Sequence, residues 1–392
     1  MGNSISMMTK INTFLSPHKV ILGNGAGSCV GGEAKRLGAE KALIVTDENM
    51  VKAGLVEGIE ESLKSQKVDV GVFSKVEAEP PARLVDECVQ VVRNEGYDVI
   101  IGLGGGSSLD VAKGAAITAV SEGNILDYVG TNIVPVSGLH KILIPTTAGT
   151  GSEVTRVLVV TDEADNNKKV VYSDFVLADV AIIDPLLTIS MPFEITADSG
   201  MDALVHAIEA YVSVNATPFS DILAIEAINL IAENLPSAYA KADNLEARFN
   251  MAFAATLAGM AFASGGLGAV HGLAYVLGTE YHLSHGRSNA VMLPHVVDHN
   301  KIGNLNKYAR IAQAMGENIE GLSAYQAAEK LVTSLFRLLE ILNIPTKISV
   351  YGISGEDILK LVEGGMRQSR LFVPNPRNLT EEDVRKIYTG AL

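Results

Sequence analysis

The sequence predicts an α/β domain built on a parallel sheet over residues 1–185, followed by an all-α domain over residues 186–392. Three observations lead there. A chain of 392 residues exceeds what one hydrophobic core organises, so it divides. Its first half alternates short β-branched runs with amphipathic segments, the pattern of βαβ units. After Asp184-Pro185 the strand-like runs stop and helical periodicity takes over.

The candidate strands are KALIVTD (41–47), DVGVFSKV (69–76), DVIIGLGGG (98–106), KILIPTT (141–147) and VAIIDP (180–185). Such near-continuous apolar runs suit strands covered on both faces. Helical spacing marks 50–65 and 82–96 between them, and five long segments beyond residue 186. Ser354 with Asp357 and Thr380 with Asp383 have the spacing of capping boxes. From Met251 to Leu283 the only Asp, Glu, Lys or Arg is Glu280. Gly265, Gly266, Gly268, Gly272 and Gly278 interrupt that stretch, and His271 and His282 would sit in lipid. It therefore reads as a buried helix pair and not a membrane span.

A formal net charge of −14, with no run of Lys or Arg, disfavours nucleic acid and anionic membranes as partners. Cys29 and Cys88 are too few for a disulfide framework or a thiolate metal site and fit a reducing cytoplasm. The start, MGNSISMMTK, lacks an apolar signal region. Gly2 with Ser6 satisfies the loose myristoylation pattern, but the segment reads as a disordered lead-in.

Chemistry gathers in four stretches. GLGGGSSLDVAK (102–113) runs from a strand through three glycines into a helix, where free N–H groups and the helix dipole suit a phosphate. Its spacing is neither the dinucleotide fingerprint G-x-G-x-x-G nor a P-loop, since Lys113 lies too far on. PTTAGTGSEVT (145–155) follows another strand and offers short hydroxyls beside flexible glycines. Together they suggest a dinucleotide lying along the strand ends. Asp47, at the end of a strand, can accept from an adenosine ribose and repel a 2′-phosphate, favouring NAD over NADP; capping a helix is its alternative role. In DSGMDALVHAIEAY (198–211), Asp202 and His206 stand four apart on an apolar helix, which calls for an internal hydrogen bond or a cation. HGLAYVLGTEYHLSHG (271–286) adds His271 and His285. One carboxylate and three imidazoles make a ligand set for Fe²⁺ or Zn²⁺, with satisfied core histidines as the alternative.

These motifs, with FLSPHKVILGNGA, HGRSNAVMLPHV and NPRNLTEEDVRKIY, give the chain a resemblance over nearly its whole length to the iron-containing (group III) alcohol dehydrogenases. The resemblance implies a Rossmann-like N-terminal domain and a helical C-terminal domain, a dehydroquinate synthase-like architecture with the active site in the cleft between them. It implies a divalent metal, Fe²⁺ first and Zn²⁺ second, on Asp202, His206, His271 and His285. NAD would meet Gly105, Gly106 and Ser107 at its pyrophosphate and Asp47 at its adenosine side. Thr146, Thr147, Thr150 and Thr155 would line it, with Lys168 near a ribose. Phe262, Tyr275 and Arg287 are the candidate substrate contacts. Two positions depart from the family pattern. Tyr275 replaces a frequent histidine, and its phenol is a poor base at neutral pH, so it shapes the pocket. Arg287 follows His285-Gly286 where a small or apolar residue is common; it calls for a protein carboxylate or an anionic group on the substrate. His282 is given no role.

The expected reaction is reversible hydride transfer between a small primary alcohol or aldehyde and NAD, in a cytoplasmic homodimer or higher homo-oligomer. Rival readings are a hydroxyacid–oxoacid transhydrogenase, a dehydroquinate synthase-like lyase, and a catalytically silent NAD-binding assembly protein.

Overall fold

All five apolar runs of the first half form strands of one sheet: β2 (Lys41–Val45), β3 (Asp69–Phe73), β4 (Val99–Gly104), β6 (His140–Pro145) and β9 (Val180–Ile183). The computed structural model describes residues 11–165 and 167–392, so Gly2 and Ser6 lie outside the described residues. A short edge strand, β1 (Lys19–Leu22), completes a six-stranded sheet of order β1-β9-β6-β4-β2-β3. Every pairing in it is parallel. Each residue of β4 and β9 is buried, as continuous apolar runs require when both faces are covered. From β2 the chain moves outward to β3, then returns past β2 to β4. The order therefore reverses between β2 and β4, and such a reversal is where open α/β sheets hold ligands beyond the carboxyl ends of their strands.

The helices of this unit are α1 (Val30–Arg36), α2 (Glu48–Lys52), α3 (Leu55–Ser65), α4 (Ala82–Glu95) and α5 (Gly106–Thr118). The segment expected as one helix over 50–65 is two, because Gly54 adopts a left-handed conformation at φ 72°. A second, three-stranded sheet was not anticipated. It consists of β5 (Gly130–Thr131) beside a hairpin of β7 (Val157–Asp162) and β8 (Asn167–Tyr172). Leu158, Val160 and Val171 point inward from the hairpin and join the core beneath α5.

The chain divides after Met191 rather than after residue 185, and the segment ending at Phe14 belongs with the helical unit. Both shifts have local causes. The Asp184 carboxylate accepts from the backbone N–H groups of Gly25 and Gly27, each at 2.9 Å, and from Leu186, tying the turn at Pro185–Thr188 to the α/β unit. Phe14 stacks on Phe219 with ring centroids 5.4 Å apart.

The helical unit contains α6 (Phe193–Val212), α7 (Pro218–Ala240), α8 (Leu245–Gly265), α9 (Ala269–Tyr281) and α10 (His285–Asn300). Beyond these lie α11 (Leu305–Ala314), α12 (Ala324–Ile341), α13 (Ile358–Arg367) and α14 (Glu381–Ala391). Both expected capping boxes form. Among the described residues no single helix is long and apolar enough to cross a membrane. The apolar stretch is α8 and α9, bent by 108° at Gly266–Gly268.

Candidate active site

Asp202 and His206 lie on the same face of α6, one turn apart, as their spacing requires. His271 is in the first turn of α9, and His285 opens α10. Gly286 lets that last helix approach α6: a Cβ there would lie 2.4 Å from the Asp198 carbonyl oxygen, so even alanine would push the helices apart. The four side chains offer one donor atom each, all within 4.8 Å of one another. Asp202 Oδ1 is 3.9 Å from His206 Nε2, 3.9 Å from His271 Nε2 and 3.6 Å from His285 Nε2. Asp202, His206 and His271 are buried, whereas the His285 side chain is 35% exposed, so the cluster is open on one side. Burial alone would raise the Asp202 carboxyl; the three imidazoles and the Asn289 amide outweigh it and hold the group below its ordinary range. A carboxylate and three imidazoles converging in an apolar interior fit a divalent cation.

Two side chains that sequence reasoning missed support this cluster. Glu209, one turn beyond His206 on α6, accepts from His271 Nδ1 at 2.7 Å and from the backbone N–H groups of Gly268 and Val270. It thereby leaves His271 Nε2 free to face the other donors. Its signal was its position, seven residues after Asp202 on the same helical face. Asn289 places its amide nitrogen 2.8 Å from Asp202 Oδ1. Nothing in the sequence distinguishes that neutral amide from other buried asparagines.

Of the candidate substrate contacts, Phe262 stacks on His206 at 4.5 Å between centroids, and Tyr275 lies 5.9 Å from the His285 ring. Both border the cluster. Arg287 does not offer a free guanidinium: its Nε donates to Asp198 Oδ1 at 2.6 Å, while Ser284 Oγ donates to the other oxygen at 2.7 Å. The anion found beside Arg287 is thus a protein carboxylate, the first of the two partners that the sequence allowed, and no acidic substrate is needed to account for the arginine. Arg287→Leu should lower stability in denaturant melts by about 1–3 kcal/mol, because Asp198 loses a charge-assisted bond. Catalytic efficiency should then fall by the same factor for acidic and neutral aldehydes. His282 ends α9 in a left-handed conformation with its side chain exposed, outside the cluster.

In the α/β unit, the glycine turn and the hydroxyl-rich loop meet. Gly105 caps α5, and Gly106 and Ser107 form its half-exposed first turn, with their N–H groups at the positive end of the helix. A Cβ on Gly106 would lie 2.9 Å from Thr150 Cγ2, and one on Gly105 would lie 3.6 Å from Thr147 Cγ2, so the hydroxyl-rich loop packs directly on the glycine turn. Asp47 takes the capping role and also stands beside the glycine turn. Its Oδ1 caps α2 through Asn49 and Met50, while Oδ2 lies 3.5 Å from Ser108 Oγ, beside the glycine turn.

The remaining loop residues turn inward. Thr146 is buried, with its hydroxyl on Met50 Sδ. Thr155 is also buried, and its hydroxyl accepts from Lys113 Nζ at 3.2 Å. That ammonium, wholly buried, also donates to Ser152 Oγ and the Val157 carbonyl, each at 2.8 Å, and Asp110 accepts from Ser152 Oγ at 2.6 Å. Burial pulls the Lys113 ammonium down to about 8, against the opposing pull of Asp110 and Glu153. Lys113 and Asp110, three apart on an apolar helix, thus fasten the loop to α5, a role their distance from the glycines concealed. Lys168 sits on β8 with its ammonium 2.6 Å from Glu79 Oε1.

Residues 17–185 match the iron-containing alcohol dehydrogenase model, and residues 196–392 match the C-terminal model of the same family. The chain is 44% identical over 362 residues to long-chain-alcohol dehydrogenase 1 of Geobacillus thermodenitrificans, covering 92% of this chain and 91% of that one. It is 41% identical over 381 residues to the NAD-dependent methanol dehydrogenase of Bacillus methanolicus, covering 97% of this chain and all of the relative. The crystal structure of a 1,3-propanediol oxidoreductase superposes with a TM-score of 0.95 at 40% identity, over 98% of this chain and 100% of that one. The protein therefore belongs to the iron-containing alcohol dehydrogenase family, and it is an oxidoreductase of alcohols and aldehydes.

Proposed function

We propose that Asp202, His206, His271 and His285 hold the catalytic cation of an NAD-linked alcohol dehydrogenase that interconverts a small primary alcohol and its aldehyde. The observation that carries this reading is the convergence of those donor atoms within 4.8 Å, buried except at His285. Iron is the first choice of metal and zinc the second. When bound, the cation supplies Lewis acidity at the substrate oxygen, and the nicotinamide supplies or accepts the hydride. The protein's own contribution is positioning. Glu209 and Phe262 fix the rings of His271 and His206, and Tyr275 borders the open side next to His285. In the α/β unit, the N–H groups of Gly105, Gly106 and Ser107 receive the pyrophosphate, and Thr147 and Thr150 lie against that turn. Thr146, Thr155 and Lys168 belong to the scaffold around the dinucleotide. A homodimer or larger homo-oligomer in the cytoplasm completes the reading, supported on the second point by unpaired Cys29 and Cys88.

Protein purified without oxygen, loaded with Fe²⁺ or Zn²⁺ and given NAD⁺ with a panel of alcohols should form NADH, followed by its absorbance. The reverse reaction should proceed with the matching aldehydes. Silence across the panel in both directions, with metal and dinucleotide bound, would overturn the proposal. Turnover only with an added oxoacid would identify a transhydrogenase instead.

Cofactor choice follows from Asp47, whose carboxylate would face the 2′-phosphate of NADP as a like charge. Asp47→Asn keeps a side-chain oxygen to cap α2, since Asn caps as well as Asp. This variant should narrow the preference for NAD over NADP by about tenfold or more in kcat/KM, one lost repulsion of roughly 1.4 kcal/mol or more. An unchanged ratio would remove Asp47 from that role.

A further inference from the structure

Asn289 is fully buried on α10, one turn beyond His285. Its amide nitrogen lies 2.8 Å from Asp202 Oδ1 and 3.2 Å from both His271 Nε2 and His285 Nε2. These are the atoms that three of the four proposed ligands turn toward one another. The carbonyl end of the same amide, Oδ1, is buried without a partner. The carboxylate fixes how the group points: reversed, it would set an amide oxygen against Asp202 Oδ1, an acceptor; in the observed orientation it leaves its own oxygen unsatisfied, donates to Asp202 and turns its N–H groups toward the cluster.

We infer that Asn289 is a positioning residue that keeps the ligand set assembled whenever the cation is absent. The inference rests on the ligand assignment proposed above. The electron-rich atoms of Asp202, His271 and His285 approach within 3.6–3.9 Å in a site closed to water on most sides. With the imidazoles in the neutral form that a metal requires and no cation among them, their lone pairs repel and their burial is uncompensated. The Asn289 N–H groups supply that positive charge density. They also select one tautomer: an N–H aimed at His271 Nε2, with Glu209 accepting from Nδ1, leaves Nε2 as the unprotonated nitrogen that a metal requires. A bound cation satisfies the same lone pairs by itself. The contribution of Asn289 therefore falls chiefly on the metal-free protein, and its benefit is a site that can empty and refill without collapsing.

The test compares wild type with Asn289→Leu, which keeps the side-chain volume and removes the donors, and with Asn289→Ala. Each protein is stripped with a chelator, divided, and one half is reloaded with Co²⁺, whose visible absorption reports occupancy. Thermal melts are recorded for both halves. The stripped variants should melt about 5 °C or more below stripped wild type, and the loaded variants within about 2 °C of loaded wild type. On titration after stripping, wild type should regain its full cobalt absorption and the variants less than about half. Equal losses of melting temperature in both forms, with full cobalt recovery, would make Asn289 an ordinary buried polar residue and overturn the inference alone. Wild type that takes up no Co²⁺ would overturn the ligand assignment and the inference with it. Should Asn289→Leu not fold, the same comparison stands on Asn289→Ala.

Discussion

His271→Ala should lose its metal and its turnover together, with kcat falling by about a thousandfold or more, while NADH affinity stays within a few-fold of wild type. The side chain is buried, and its Nε2 faces Asp202, so removing it deletes one of four converging donors in a place where water substitutes poorly. Stabilising charge on the substrate oxygen is worth several kcal/mol in metal enzymes, and each 1.36 kcal/mol is a factor of ten in rate, which sets the expected size of the loss. NADH affinity should survive because Gly105, Gly106, Ser107 and Asp47 belong to the α/β unit, whereas His271 belongs to the helical one. Metal content by elemental analysis, steady-state rates and NADH fluorescence titration on the same preparation check the three parts. His285→Ala should show a milder metal loss with an equally severe loss of turnover, since it removes the exposed donor and leaves the three buried ones in place. Normal turnover in purified His271→Ala would remove that residue from the ligand set.

The convergence at the cluster was legible in the sequence because its members are anomalies: polar or ionisable groups in stretches otherwise nearly free of charge. Asp202 and His206 stand among Ala203, Leu204, Val205 and Ala207, and a buried carboxylate there needs a partner of opposite charge. The parallel sheet was legible for a related reason, since strands covered on both faces leave near-continuous apolar runs. Partnerships across long sequence separations were not legible. Arg287 signalled that it needed an anion, but nothing in the chain says that Asp198, 89 residues earlier, provides it. Thr155 looked like one more hydroxyl of a ligand-binding loop, yet it serves Lys113, 42 residues before it. The β7–β8 pair carries its own alternation, with Leu158 and Val160 inward, but a search for βαβ units passes over two consecutive antiparallel strands. Asn289 left no trace at all, because a neutral amide in a helix of mixed polarity acquires meaning only when its neighbours are known.

Glu209 is where a helix cap and a metal-site support coincide, and two substitutions separate them. Its carboxylate takes three N–H donors at the start of α9: Gly268 at 2.9 Å, Val270 at 2.6 Å and His271 Nδ1 at 2.7 Å. All are buried, and the helix has no acidic residue of its own in the first turn to offset its dipole. Glu209→Ala leaves those donors without an acceptor and should lower unfolding free energy by about 3 kcal/mol or more, measured in denaturant with metal removed. Glu209→Gln retains one acceptor oxygen and little change of shape, so its stability loss should be smaller, about 1–3 kcal/mol. The metal is the sharper readout. An uncharged amide no longer holds His271 Nδ1–H as firmly, so the ring is free to take the tautomer that protonates Nε2, and Nε2 becomes a weaker donor. Supports of this kind typically change metal affinity by 10–100-fold, and Glu209→Gln should weaken Co²⁺ or Zn²⁺ binding within that range. Metal affinity equal to wild type in Glu209→Gln, alongside the stability loss, would reduce Glu209 to a helix cap. A fall in affinity without a comparable fall in the stability of the stripped protein would instead place its main effect on His271, since a cap stabilises α9 whether or not the site is filled.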